Sequence, residues 1–369
     1  MQQDGPVAPA AAPQKDRLAF LDVARGAATL LVLVEHAAGP LVPGYAEWSQ
    51  ANGSLGLAGV VLFLLISGFI IPVSLEKSGS NGRFWVRRVF RLFPAYWLSI
   101  AAAVAYLALG GPQKLKVNLS DPGPWLVNLT MLQGFFKVPH VWGVFWTLQL
   151  ELVIYAACSA LFVARLLNRW TTILLVCFAG HLIIGLAQPL LMGKPFTISS
   201  HKFLYYTPVI GVIAQRYVAG AFSARKAYGL LAGHVLVVVA IWAVNNQMYP
   251  DRVPTRRLTE FALVWCSAYL MLFTLVELRR FSMPAVLCWF GRISYSVYLM
   301  HPVVLVVTDD QKWPAWAFLS TFLAVTLLLS DLSFRFVETP GIALGRWVEN
   351  KLFGAKPRHN VEPGGKAAI

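Results

Sequence analysis

Apolar runs of about 20 residues recur along almost the whole chain, at roughly 19–38, 55–75, 89–109, 142–164, 171–192, 203–222, 227–244, 259–278, 285–307 and 315–337. A helical run of that length matches the hydrocarbon core of a bilayer. In lipid each backbone N–H and C=O must be satisfied within its own element, so an isolated run of this kind has to be a helix. The chain is 57% hydrophobic and 13% charged, where a soluble domain carries about 25% charged residues. These observations predict an all-α, polytopic integral membrane protein of about ten transmembrane helices. Segment 125–136 is apolar but too short to span, which suits an interfacial or re-entrant piece.

The polar ends bound one membrane domain, expected over 18–347. Residues 1–17 are rich in Pro, Ala and Gln and lack an apolar core, so they read as a disordered tail and not as a signal peptide. Residues 348–369 read as a polar C-terminal tail. The net charge of +14 would suggest nucleic acid in a soluble protein. Here the basic residues fall between the apolar runs, and no nucleic-acid partner is expected. With the N-terminus in the cytoplasm, about 20 Lys and Arg face inward and about 9 outward. Both termini are therefore expected to be cytoplasmic, and the abundance of Ala, Gly, Val and Arg suits the inner membrane of a GC-rich bacterium. The four cysteines are scattered through apolar segments without metal spacing, so neither a disulfide framework nor a metal site is expected. Asn118-Leu-Ser and Asn128-Leu-Thr match the glycosylation sequon, a pattern frequent by chance. No feature of the sequence specifies an oligomeric state.

Arg25 and His36 lie inside the first run. Ionisable residues at a membrane helix centre cost about 2.5–3.5 kcal/mol each on insertion scales and mark functional paths. They are 11 residues apart, about three turns, which returns them to within roughly 20° of one face and separates them by about 16 Å along the axis. One face of the helix thus carries a fixed cation and, further on, an imidazole able to act as a base.

Four further segments need an explanation. Arg83, Arg87, Arg88 and Arg91 cluster at the start of the third run among aromatic residues. Positive-inside anchoring explains them plainly. Phosphate binding is the functional alternative, because arginine offers a bidentate fork that lysine lacks. Trp146-Thr-Leu-Gln-Leu-Glu151 puts one carboxylate inside the fourth run, with His36 or Arg25 as its expected partner. Tyr155 reads as an ordinary core aromatic. Ser294, Tyr298 and His301 recur at spacings of four and three and form a polar stripe on the ninth run. Interhelical hydrogen bonding is the plain reading of that stripe, and substrate contact, together with Trp146, the functional one. Arg335 and Glu338 are spaced to pair at i, i+3. His181, His201, His234 and Arg216 are isolated and read as packing or loop residues. His140 sits in the long outer loop, where nothing in the sequence selects it.

Taken in order, these segments resemble the membrane-bound acyltransferase-3 family. The resemblance runs from about Leu18 to Trp347. It includes Leu-Asp22-Val-Ala-Arg25-Gly with ten residues before His36, Phe63-Leu-Leu-Ile-Ser67-Gly68-Phe69, and Arg88-x-x-Arg91 followed by Phe-Pro-Ala-Tyr-Trp. Trp146-Thr-Leu-x-x-Glu151, Ile-Ser294-Tyr295-Ser-x-Tyr298-Leu-x-His301-Pro and Glu338-x-Pro340 complete it. The resemblance implies an O-acyltransferase of about ten helices. Such an enzyme takes cytoplasmic acyl-CoA, commonly acetyl-CoA, as donor substrate and holds no permanent cofactor. It acylates hydroxyls of glycans or glycosylated small molecules. On that resemblance His36 is the essential histidine with Arg25 as its motif partner, and Arg88 and Arg91 hold coenzyme A. Gln149 departs from the acid-rich pattern common in the family, which leaves Glu151 as the single acid of its segment.

Transfer of an acyl group from thioester to alcohol needs a base for the hydroxyl and a donor for the oxyanion. The expected arrangement has His36 as base, Glu151 orienting its imidazole, and Arg88 and Arg91 gripping the phosphates. Two other classes use the same residues differently. A proton-coupled transporter or flippase would use the charges as a relay, although no internal repeat of the kind common in transporters is evident. A subunit of a glycan export assembly would use the arginines only as anchors.

Overall fold

The computed structural model describes residues 18–196, 201–308 and 313–354. Residues 1–17 and 355–369, which hold the N-terminal tail and most of the C-terminal one, lie outside the described residues, as does the side chain of His201. Among the described residues every regular element is helical. The helices are α1 Ala19–Leu41, α2 Tyr45–Asn52, α3 Leu55–Ser78, α4 Asn81–Ala108, α5 Pro122–Asn128, α6 Trp146–Val163, α7 Trp170–Leu191, α8 Thr207–Val218, α9 Ala224–Met248, α10 Arg256–Phe261, α11 Ser267–Glu277, α12 Ala285–Arg292, α13 Ser294–Thr308, α14 Ala315–Ser333 and α15 Thr339–Phe353. A π-turn at Ala262–Cys266 joins α10 to α11, and another at Phe334–Glu338 joins α14 to α15.

Seven helices are long and apolar enough to cross a membrane, and an eighth follows if α12 and α13 are one span bent by 67°. Helix α1 is 23 residues long and carries Asp22, Arg25 and Glu35. Run 203–222 yields only the 12-residue α8. Run 125–136 becomes the short α5 followed by turns.

Helix α3 is the central post, with 72% of its most apolar window buried, against 22% for α7 and for α9. It packs against α1, α6, α8 and α11, while α1 also packs against α12 and α13, and α4 against α13 and α15. Large apolar side chains such as Leu30, Leu175, Ile183, Leu236, Leu270 and Phe336 point outward, as expected for helices solvated by lipid.

Close approach requires glycine where α12 meets α1. A Cβ on Gly291 would lie 1.7 Å from the Asp22 carbonyl oxygen. That contact sets the α12–α13 bend against the segment holding Arg25. Gly291→Ala is expected to cost more than the roughly 1–3 kcal/mol typical of overpacking, because the opposing atom is backbone. The readout is loss of monodisperse protein after detergent extraction.

At the other end of the chain, helix α15 continues past Trp347, where the domain was expected to end. Its Glu349 is buried and receives Arg83 Nη1 at 3.2 Å and the Nε and Nη2 groups of Arg87. Glu349→Ala leaves these two guanidinium groups without their carboxylate. It is expected to lower stability by about 1–3 kcal/mol, seen as a reduced Tm in detergent, with turnover per folded molecule unchanged.

Candidate functional site

The four-arginine cluster divides by helical face. Arg83 and Arg87 are committed to α15. Arg88 and Arg91, on the neighbouring face of α4, line an internal cavity of 110 Å³ together with Arg25, Ser67, Glu151 and Ser294. Arg88 is buried, with its guanidinium over the rings of Phe84 at 5.2 Å and Tyr155 at 5.3 Å. Among the described residues neither Arg88 nor Arg91 forms an ion pair. Arg25 pairs with Asp22 one turn earlier, at 2.9 Å. The first turn of α13 opens on the same cavity through Ser294 and Tyr295, which adds the partial positive charge of a helix N-terminus.

Glu151 belongs to this arginine cavity and not to the histidine. Its Oε1 accepts from the Tyr155 hydroxyl, so Tyr155 is a buried support of the site as well as a core aromatic. Among the described residues no hydrogen bond or ion pair joins Glu151 to His36. Of the two expected partners, Arg25 lines the same cavity as Glu151, whereas on α6 it is Trp146, more than a turn away, that borders the cavities of His36. Arg335 likewise pairs with Asp331 at 2.6 Å instead of Glu338. The π-turn carries Glu338 inward, where it accepts from Ser296 Oγ at 3.0 Å.

His36 is paired with His301, ring centroids 5.0 Å apart. His301 is buried; its Nδ1 lies 3.1 Å from the Val297 carbonyl oxygen and its Nε2 has no partner. A carbonyl can only accept, so Nδ1 carries the proton and Nε2 is left as an acceptor. Tyr298 sits one turn earlier. Its hydroxyl lies 2.6 Å from Thr147 Oγ1 and donates to the Val144 carbonyl at 2.8 Å. Thr147 also reaches that carbonyl, at 3.0 Å. Two hydroxyl protons thus serve two acceptors, the Val144 carbonyl and the other hydroxyl of the pair.

Three cavities lie in series. Val60 and Tyr298 line both the arginine cavity and a middle cavity of 430 Å³. His36, Trp146 and Pro302 line both the middle cavity and a wide outer one of 870 Å³. The stripe Ser294, Tyr298, His301 runs along this series: Ser294 at the arginine end, Tyr298 at the neck, His301 beside His36.

Several residues of this region were not selected by the sequence. Glu35 accepts from the Tyr45 hydroxyl at 2.8 Å, Ser49 Oγ at 2.7 Å and the Gly56 N–H at 3.2 Å, and so ties α2 across the end of α1 next to His36. Burial and the bond to Glu35 push the Tyr45 phenol up to about 12. His140, Lys114, Lys116 and Lys137 line the outer cavity. Asn128, a sequon asparagine, is fully buried and bonded to the backbone on both sides, so its amide is not presented for glycosylation. The isolated residues behave as packing groups: Arg216 pairs with Glu76 at 2.6 Å, and His181 and His234 lie within an aromatic cluster around Phe203.

Residues 18–335 match the acyltransferase-3 family, described as an acyltransferase domain. The chain therefore belongs to that family of membrane acyltransferases. It is 27% identical over 323 residues to nodulation protein 10 of Rhizobium leguminosarum, covering 78% of this chain and 82% of that one. It is 26% identical over 357 residues to a peptidoglycan O-acetyltransferase of Listeria monocytogenes. It is also 27% identical over 285 residues to an exopolysaccharide production protein of Rhizobium meliloti, covering 71% of this chain and 80% of that one. The Listeria match covers 80% of this chain and about half (52%) of the relative. No solved structure matches the chain.

Proposed function

We propose that the protein moves an acyl group, acetyl in the simplest case, from cytoplasmic acyl-CoA to a hydroxyl of a glycan or glycosylated molecule. The observation that carries this reading is the series of cavities joining Arg88 and Arg91 to a histidine pair, with His36 where the series meets the wide outer cavity. Arg88, Arg91 and the first turn of α13 favour a phosphate. The arginine cavity, at 110 Å³, suits a phosphate or a slender arm and is too small for a whole coenzyme A, since sites for drug-sized ligands run to about 300–1,000 Å³. The adenine end would remain outside it, and the thioester end would extend past Tyr298.

In this mechanism the acceptor hydroxyl enters from the outer cavity and His36 removes its proton as the oxygen attacks the thioester carbonyl. Tyr298 or Thr147 turns its hydroxyl proton from its present acceptor onto the oxyanion. The C–S bond then breaks, and the leaving thiolate takes the proton from the His36 imidazolium. The His301 ring lies against His36 and its Nε2 can accept a hydrogen bond from it, the orienting role that the sequence assigned to Glu151. The proposed topology keeps both termini and the donor side in the cytoplasm of a bacterial inner membrane, as the basic loops require.

The test uses detergent-purified full chain and acetyl-CoA. Saturable binding and release of free coenzyme A support the reading. Absence of both in a monodisperse sample overturns it in favour of transport.

A further inference from the structure

The middle cavity carries information about the donor. It is 430 Å³ in volume and lies between Tyr298 at the neck and His36, where the acyl end of the donor has to be. At about 30 Å³ per water, the space corresponds to on the order of ten waters, whereas an acetyl group ends in a lone methyl. The arginine cavity suits the phosphate end and the outer cavity receives the acceptor. The space in the middle is therefore left to the acyl chain.

The wall of this space is largely apolar. Val32 comes from α1, Leu57 and Val60 from α3, Val144 from the turn before α6, and Leu305 from α13. Val32, Val60 and Val144 are buried, and Leu57 is half-buried. Helices α1 and α3 meet at Gly59, where a Cβ would lie 2.5 Å from the Ala28 carbonyl oxygen. Their spacing is fixed by that backbone contact, so the wall does not close down onto a smaller group. Glu35 is the acidic member of the wall. The Tyr45 and Ser49 hydroxyls and the Gly56 N–H converge on its carboxylate and hold it in place. A chain ending in a carboxylate of its own would meet this fixed like charge at short range.

We infer that the donor carries an uncharged acyl chain longer than acetyl, of butyryl size, lodged between α1 and α3 against Leu57 and Val60. The inference rests on the proposed acyl transfer and alters only the chain: the bonds formed and broken at the carbonyl are the same. The carbonyl stays beside the Tyr298 hydroxyl, the chain runs along the apolar wall, and His36 remains open to the acceptor from the outer cavity. Each methylene buried there strengthens binding about fourfold. An acetyl group would leave most of the wall uncovered. The competing occupant of the middle cavity is part of the acceptor itself, which predicts no preference for chain length.

The experiment uses detergent-purified full chain, with acetyl-, butyryl- and succinyl-CoA as probes and binding read by titration calorimetry. Butyryl-CoA is expected to bind about tenfold more tightly than acetyl-CoA, close to the fourfold per methylene of full burial. Succinyl-CoA has a chain of similar length that ends in a carboxylate, and is expected to bind about tenfold more weakly than butyryl-CoA. Leu57→Trp should bring butyryl-CoA down to the level of acetyl-CoA; from a half-buried position on the wall, the larger ring has the cavity to turn into. Glu35→Gln is nearly isosteric and should bring succinyl-CoA up toward butyryl-CoA, which probes the same wall if the tryptophan variant does not fold. Equal binding of acetyl- and butyryl-CoA to the unmodified protein overturns the inference and leaves the middle cavity to the acceptor. Succinyl-CoA binding as tightly as butyryl-CoA also overturns it. So does a length preference that survives in folded Leu57→Trp, since it would then arise from detergent or from another wall. Failure of all three probes to bind a monodisperse sample would instead defeat the acyl-CoA reading itself.

Discussion

Replacement of His36 by alanine is expected to lower acyl transfer by about 10²- to 10⁴-fold, the usual contribution of a positioned general base. The yield of folded protein should not change. His36 is only half-buried and borders two cavities, so its removal enlarges existing space and opens no new void in a packed core. Acetyl-CoA binding should persist, because the arginines line a different cavity. His301 offers the sharper check. It is buried, with Nδ1 fixed on the Val297 carbonyl and Nε2 unpartnered. If its role is to orient His36, His301→Ala should slow transfer, and the double variant should be no slower than His36→Ala alone, as for residues acting as a unit. Multiplicative losses in the double variant would show that the two rings act independently. Retained transfer in folded His36→Ala would remove His36 from the mechanism.

The sequence disclosed the helices and most of the site because both obey local rules. Apolar runs of bilayer length must be helices, and Ser294, Tyr298 and His301 share a face by simple periodicity. Arg25 and His36 were visible for the same reason, as charges that a membrane span has to explain. What periodicity could not supply was the partner across the bundle. Glu151 was read with His36 or Arg25 as its partner; the depth at which α6 crosses α1 depends on packing, and it puts Glu151 with Arg25 and the other arginines. The 67° bend at Ile293 was hidden inside what reads as a single apolar run, although Gly291 marks the contact that fixes it. Glu349 was read as part of a polar tail, since nothing local shows that α15 folds back onto α4. The lysines of the outer loops escaped notice for a related reason: 21 residues apart in sequence, Lys116 and Lys137 line one cavity only in the folded chain.

Substitution of lysine for Arg88, and separately for Arg91, is expected to raise KM for acyl-CoA by about 10- to 100-fold with a much smaller change in kcat. Lysine preserves the positive charge, so a role as a membrane anchor predicts no effect. What lysine removes is the planar fork, and a charge-assisted hydrogen bond of that kind contributes about 1.5–3 kcal/mol. At Arg88 the loss is compounded by geometry. Its guanidinium lies flat over Phe84 and Tyr155, and a lysine ammonium cannot reproduce that stacking. Arg83→Lys supplies the contrast within the same cluster. Arg83 donates to Glu349 and to the backbone carbonyls of Phe353 and Gly354 at the end of α15, so its replacement should lower Tm while leaving KM for acyl-CoA in place. Steady-state kinetics over a range of acetyl-CoA concentrations, beside thermal melts of the same samples, separates the two outcomes. A KM unchanged in both Arg88→Lys and Arg91→Lys would mean that charge alone suffices there, and the donor phosphates would have to be held elsewhere.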